Sequence, residues 1–349
     1  MLRASIGLNR TPNIARIWNL DRSHRSNVLD RLGPRCHRLG MTTKSNLQIL
    51  LLSAVWGISF LMIRIAGTAF PPLWVALLRC ALGAALLWTV LCLGGNKLPP
   101  RRLLPWLIAV ALFNNAMPFT FFAWGERTVP SNIAAVINAT TPIWTLLLSM
   151  AIHRTQAALL TIGGVFLGFG GVLVVVVSHA GDPAADHAAG GLLRGIIVIS
   201  LAALGYAVAT VMAKAKLQGL DPIGLATTQL TLAGLMILPL AFAGAHPTSL
   251  RLVPIVAIAV LGFAGSGFAY LLYYRLLSQV SATHVTAVTY LLPLWGLFWG
   301  LFAGESIGFL TCLGVAITIA GLILLNLPPR QTRTLANDAS IACNVKAQA

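Results

Sequence analysis

Three ionisable side chains stand where the sequence is otherwise apolar: Arg79 within 72–94, Glu126 just after 103–123, and Glu305 between 283–303 and 306–326. A guanidinium in hydrocarbon costs on the order of 2.5–3.5 kcal/mol on insertion scales, so Arg79 is expected to face a cavity or a partner. It lies about seven residues into its stretch, roughly 10 Å along a helix. There its planar fork could hold a substrate carboxylate through two hydrogen bonds. Snorkelling to head groups, or a structural pair with an acid, is the competing role. Glu126 and Glu305 are the candidates for proton carriage and gating. Each could pair with Arg79 when a gate closes, and a carboxyl in a partly dry site titrates high enough to carry a proton. The competing role is a solvated charge at a helix end. For Glu305 that means a first-turn carboxylate favoured by the dipole of the helix it precedes.

Uncharged polar groups extend this set. Asn114 and Asn115 fall within 103–123, Asn138 within 131–151 and Gln229 within 222–244. An amide in lipid needs a hydrogen-bond partner, so these residues either line a solute path or join helices. Trp56, Trp124, Tyr206, Tyr270, Tyr273 and Tyr290 are aromatic candidates for a cavity that takes amphipathic solutes, against the usual anchoring at membrane interfaces. Pro118, Pro142, Pro254 and Pro293 each remove a backbone donor inside an apolar stretch, and Pro142 with Pro293 is expected to form a hinge pair. No P-loop, HExxH or Cys/His cluster occurs. His284 stands alone, and intramembrane Ser and Thr mostly bond back to their own helix. The five cysteines, Cys36, Cys80, Cys92, Cys312 and Cys343, form no CxxC and read as small apolar fillers. No enzyme chemistry, cofactor, metal site or disulfide framework is expected.

The elements that must position these residues are apolar. Of 349 residues, 57% are hydrophobic and 9% charged, against about 25% charged in soluble domains. Ten runs are long enough to span a bilayer: 47–67, 72–94, 103–123, 131–151, 157–178, 192–213, 222–244, 252–274, 283–303 and 306–326. The fold class expected is therefore an all-α membrane protein. The segment 1–46 is basic and read as a disordered tail, with Met41 as an alternative start or the segment as a targeting peptide. The remaining divisions are a first five-helix repeat over 47–178, an outer linker over 179–191, a second repeat over 192–326 and a C-terminal tail over 327–349.

The net charge of +16 does not mark a nucleic-acid binder, because most of it lies in the tail and in short loops. With ten spans, one face receives the basic tail with Lys97, Arg101, Arg102, Arg154, Lys214, Lys216, Arg275, Arg330, Arg333 and Lys346. The other receives Arg64, Arg127, Arg194 and Arg251. This bias places both termini in the cytoplasm.

The second half repeats the first. At an offset of 150, Trp56 meets Tyr206, Arg64 meets Lys214, Pro72 meets Pro222 and Arg79 meets Gln229. Val129-Pro130-Ser131 aligns with Val280-Ser281-Ala282. At an offset of 151, Pro142 meets Pro293, Trp144 meets Trp295, Gly163 meets Gly314 and Gly170 meets Gly321. Five spans per half is an odd number, so the halves are expected to insert in opposite directions, the inverted-repeat architecture of many secondary transporters. Gly164 and Gly168, with Gly163, Gly170 and Gly171, suit close helix packing, within the chain or in a homodimer.

Several motifs carry a family resemblance. The first run reads Ala54-Val55-Trp56-Gly57-Ile58-Ser59-Phe60, and the third ends Phe122-Ala123-Trp124-Gly125-Glu126. The fourth holds Ala139-Thr140-Thr141-Pro142, and Gly304-Glu305 precedes Gly314 and Gly321. In order and spacing, across roughly 45–326, the chain resembles the EamA family of the drug/metabolite transporter superfamily. It departs at His153-Arg154, where the 151 offset would place a second Gly-Glu. The resemblance implies ten spans, alternating access, and export of amino acids or other metabolites, often coupled to protons. It implies the bilayer, a small solute and protons as partners, and a bacterial inner membrane as the location. An uncoupled facilitator of the same fold is the first alternative; a membrane scaffold or an intramembrane enzyme is the second.

Overall fold

A computed structural model describes residues 43–153, 159–179, 189–279, 285, 287–305 and 307–326. The chain divides into Met1–Thr42 and Thr43–Ala349. The basic tail up to Thr42, most of the linker, His284 and the C-terminal tail lie outside the described residues. All regular structure among the described residues is helical.

Eight helices are long and apolar enough to cross a membrane: Lys44–Ala66, Pro72–Gly94, Arg101–Gly125, Ser131–Ile152, Leu159–Val177, Gly191–Lys216, Pro222–Ala243 and Leu252–Leu276. The last two expected spans correspond to the shorter apolar helices Val288–Phe302 and Phe309–Leu325. Large apolar side chains such as Phe166, Leu173, Leu240 and Phe298 point outward, which suits hydrocarbon as solvent.

Three of the expected runs are not plain α-helices. The third changes to π-helix over Leu112–Ala116, and the eighth over Val260–Phe268. In the third the cause is local: Pro118 has no N–H for the Asn114 carbonyl, so the wider register takes over, with the Met117 N–H bonded back to the Leu112 carbonyl. In the eighth, Gly262, Gly265 and Gly267 weaken the α-helix. The fourth run breaks at Ala139-Thr140 into Ser131–Asn138 and Thr141–His153. Pro142 therefore opens a helix, where its missing donor costs little, while Pro293 lies inside Ala287–Phe302. The two prolines do not occupy matching positions in their helices. Pro239, inside Pro222–Ala243, is a further interior proline that the expected set did not include.

Equivalent helices of the two halves meet each other antiparallel. In one pair, Trp74 Nε1 donates to the Ala245 carbonyl at 3.1 Å, and Trp88 Nε1 donates to Thr231 Oγ1 at 3.1 Å. In the other, Gly164 lies against Gly321 and Gly171 against Gly314. Gly164, Gly168 and Gly171 are thus occupied by packing within the chain, whereas Gly170 meets no neighbour within 4 Å.

Candidate functional site

The two π-helical segments frame a buried polar cluster. Arg79, on Pro72–Gly94, is 7% exposed. Its Nε donates to Ser266 Oγ at 3.0 Å, and its guanidinium carbon lies 3.9 Å from the centre of the Phe119 ring. A cation over an aromatic face is favourable and leaves the fork's edge open to an anion. On the equivalent helix, Gln229 accepts from Asn114 Nδ2 at 2.9 Å. Asn114 and Asn115 both donate to Tyr270 Oη, at 3.3 and 2.9 Å. Asn115 is fully buried, and its Oδ1 has no hydrogen-bond partner.

Aromatic rings continue from this cluster. Tyr270 stacks on Tyr274, Tyr274 meets Tyr273, and Tyr273 meets Trp56. Tyr206 stacks on Phe122, which meets Phe60. Of the expected residues, Arg79, Asn114, Asn115, Gln229 and Tyr270 come together, with Trp56, Tyr206 and Tyr273 bordering them. Asn138 and Tyr290 sit elsewhere. Tyr290 packs beside Ala139, Ile143 and Leu322, and the Asn138 amide oxygen is buried without a hydrogen bond. Trp124 is exposed, as an interfacial anchor would be.

The two glutamates differ from expectation in their partners. Glu305 does not pair with Arg79 but with Arg64. Nor does it serve the helix that follows it, which begins at Phe309. Its Oε1 accepts from Ser131 N at 2.8 Å and Ser131 Oγ at 2.7 Å, and its Oε2 from Asn132 N at 3.0 Å. It therefore caps Ser131–Asn138, whose own preceding residue, Pro130, offers no side-chain acceptor. Glu126 is 5% exposed, and neither of its oxygens has a hydrogen-bond partner. Burial first, and the Glu305 carboxylate second, push its carboxyl well above the usual range, while Arg64 and Arg79 act in the opposite sense.

Ser266 and Arg64 were not among the residues expected at the site. Ser266 was signalled by the repeat, since it stands 151 residues after Asn115. Arg64 was assigned to the same face as Glu305 but not joined to it. Asp221 is a third acid at a span end. Its Oδ1 caps Pro222–Ala243 through Ile223 N and Gly224 N, and its Oδ2 accepts from Lys97 N at 3.1 Å, so its role is structural.

A duplicated bundle of membrane-length helices around a buried guanidinium and amide cluster defines the class as an integral membrane protein built like a transporter. The profile of the EamA-like transporter family matches residues 43–177 and again 193–327. The chain belongs to that family, a family of membrane transporters. An "Uncharacterized transporter" of Archaeoglobus fulgidus is 24% identical over 276 residues, covering 77% of this chain and 94% of the relative. The "Uncharacterized inner membrane transporter YedA" of Escherichia coli is 26% identical over 279 residues, covering 79% and 88%. A solved crystal structure superposes with a TM-score of 0.60 at 15% identity, covering 83% of this chain and all of the other; that likeness concerns the fold.

Proposed function

We propose that the protein is a secondary active exporter of a small carboxylate-bearing metabolite, an amino acid or a relative, driven by inward proton movement. It works by alternating access between two inverted five-helix repeats in a bacterial inner membrane, with both termini cytoplasmic. The antiparallel packing of equivalent helices supports the inversion.

The observation that carries the reading is Arg79. It is a buried cation whose Nε is fixed by Ser266 and which pairs with no carboxylate among the described residues. A guanidinium so placed stabilises an incoming carboxylate, through short charge-assisted hydrogen bonds that water would otherwise weaken. The partnerless Asn115 Oδ1 offers an acceptor to an ammonium or hydroxyl on the same solute. Glu126 is the proton carrier. Its high affinity for a proton inside the protein falls when the site opens to water.

Proteoliposomes holding the full chain, with a pH dye inside, test this against a panel of radiolabelled L-amino acids and short 2-oxo acids. Accumulation of at least one, abolished by a protonophore, is expected. Flux without accumulation would indicate an uncoupled facilitator, and silence across the panel would remove the carboxylate assignment.

A further inference from the structure

Glu305 joins three pieces of backbone that the repeat keeps apart. It stands in the turn after Ala287–Phe302 in the second half, yet its partners are Arg64 at the end of Thr43–Ala66 and the first two amides of Ser131–Asn138, all in the first half. The Glu305 side chain is 3% exposed and Arg64 is 45% exposed, so the carboxylate is buried while its cationic partner reaches the surface of the bundle. Gly300 makes room for it, because a Cβ there would come within 2.7 Å of Glu305 Oε2.

By residue type, the repeat counterparts cannot form the same ion pair. The repeat counterparts of Arg64 and Glu305 are Lys214 and Arg154, two cations that repel rather than pair. The counterpart of Pro130 is Ser281, a residue type that can cap a helix with its own side chain. The first half takes this cap from the second half.

We infer that Glu305, Arg64 and the amino terminus of Ser131–Asn138 form a one-sided latch that shuts the face bearing Arg64 and must part for solute to pass there. The inference rests on the transporter reading but not on which solute is carried. Glu305 is a positioning residue in it. Charge-assisted bonds at a helix terminus are strong enough to bias a two-state closure, and a carboxylate that can exchange these partners for water can release it. A latch present on one face only makes the opening steps on the two faces unequal in rate.

Labelling from either face tests this without a solute. A single reporter, Val136→Cys, is placed in the full chain after its native cysteines are replaced. Val136 is fully buried on the latched helix. A membrane-impermeant maleimide is then applied to right-side-out and to inside-out vesicles. Glu305→Gln turns one acceptor into an N–H facing an N–H, and labelling from the Arg64 face is expected to quicken about tenfold or more. Gly300→Ala keeps the charge but crowds Oε2, and should quicken the same face. Arg64→Ala should act less, because the helix amides still hold the carboxylate. Unchanged rates in both Glu305→Gln and Gly300→Ala overturn the latch, and so does acceleration from both faces alike, which marks general loosening. Unchanged labelling with intact proteoliposome flux defeats the latch alone; one-sided acceleration with no flux defeats the transport reading alone.

Discussion

Arg79 and Gln229 occupy the same place in the two repeats, and each is hydrogen-bonded to the π-helical segment of the opposite repeat. Arg79 donates to Ser266, and Gln229 accepts from Asn114. Ser266 is itself the counterpart of Asn115 at the 151 offset. The bonds therefore cross the boundary between repeats twice, in a reciprocal pattern. A π-segment turns its side chains out of the α-helical phase and frees backbone groups, which explains its frequent use at functional sites. Here it aims two amides and a hydroxyl at the facing helices.

Replacing the guanidinium follows directly. Arg79→Ala is expected to lower transport about 100-fold or more, since each charge-assisted bond to a carboxylate contributes about 1.5–3 kcal/mol. Arg79→Lys should restore little, because lysine keeps the charge but loses both the Nε bond to Ser266 and the planar fork. The measurement is initial flux of the solute that the proteoliposome panel returns, normalised to folded protein. Full flux in Arg79→Ala would return this residue to a structural role.

The reciprocal bridge predicts coupling between its halves. Ser266→Ala leaves the Arg79 Nε unsatisfied, and Gln229→Leu leaves the Asn114 amide with only Tyr270 Oη. Each is expected to cost about 1–3 kcal/mol for the stranded buried group. If both bonds position one site, the double variant should lose less than the sum of the singles, by about 0.5 kcal/mol or more. Thermal unfolding in detergent and solute affinity, measured on all four proteins, check this. Strict additivity would make the two bonds independent.

How much of this was legible in the sequence depended on the kind of signal. Arg79 and Gln229 announced themselves, because a charge and an amide inside apolar runs are costly and the offset pairs them. The aromatic border around Tyr270 followed from the same logic. Ser266 did not stand out, since a membrane serine usually bonds to its own helix, and only its partner gives it meaning. The π-register left no local code beyond Pro118 and three glycines. Glu305 was visible as an acid at a turn, but its cap lies on a helix 174 residues earlier, and no local rule reaches that far. Tyr290 packs beside Ala139, Ile143 and Leu322, neighbours from two other helices that no pattern within its own run foretells.

Glu126 gives a pH-dependent expectation. Its carboxyl titrates well above its ordinary value of 4.5 in the folded protein. A group with a raised folded value favours folding most below the unfolded value, and that contribution is lost as pH rises through the folded one. Glu126→Gln, which imitates the protonated form, should therefore match the wild type near pH 4 and exceed it in thermal stability at pH 8. It should also uncouple flux from the proton gradient. The checks are melting temperature against pH for both proteins, and dye-reported proton movement during solute flux. A stability difference that does not change with pH would show that Glu126 titrates alike in the folded and the unfolded chain.

The antiparallel crossing of Leu159–Val177 and Phe309–Asn326 gives the sharpest structural contrast, because neighbouring glycines should respond oppositely. Gly164 meets Gly321, the counterpart of Gly170, and Gly171 meets Gly314, the counterpart of Gly163. Exchanging the halves at that offset carries the Gly164–Gly321 contact to within one residue of the Gly171–Gly314 contact. A methyl on Gly171 would come within 2.6 Å of the Gly314 carbonyl oxygen and would also strike the Thr318 backbone, whereas one on Gly170 meets nothing within 4 Å. Backbone cannot swing aside as a side chain can, so Gly171→Ala must spread the helices. It is expected to cost about 1–3 kcal/mol. Gly170→Ala should be neutral, or gain up to about 1 kcal/mol from helix propensity. Gly314→Ala, whose methyl would lie 2.8 Å from the Gly171 carbonyl oxygen, should match Gly171→Ala. Melting temperatures of the three purified variants decide the matter. Equal behaviour of Gly170→Ala and Gly171→Ala would mean that the two helices do not cross at this register.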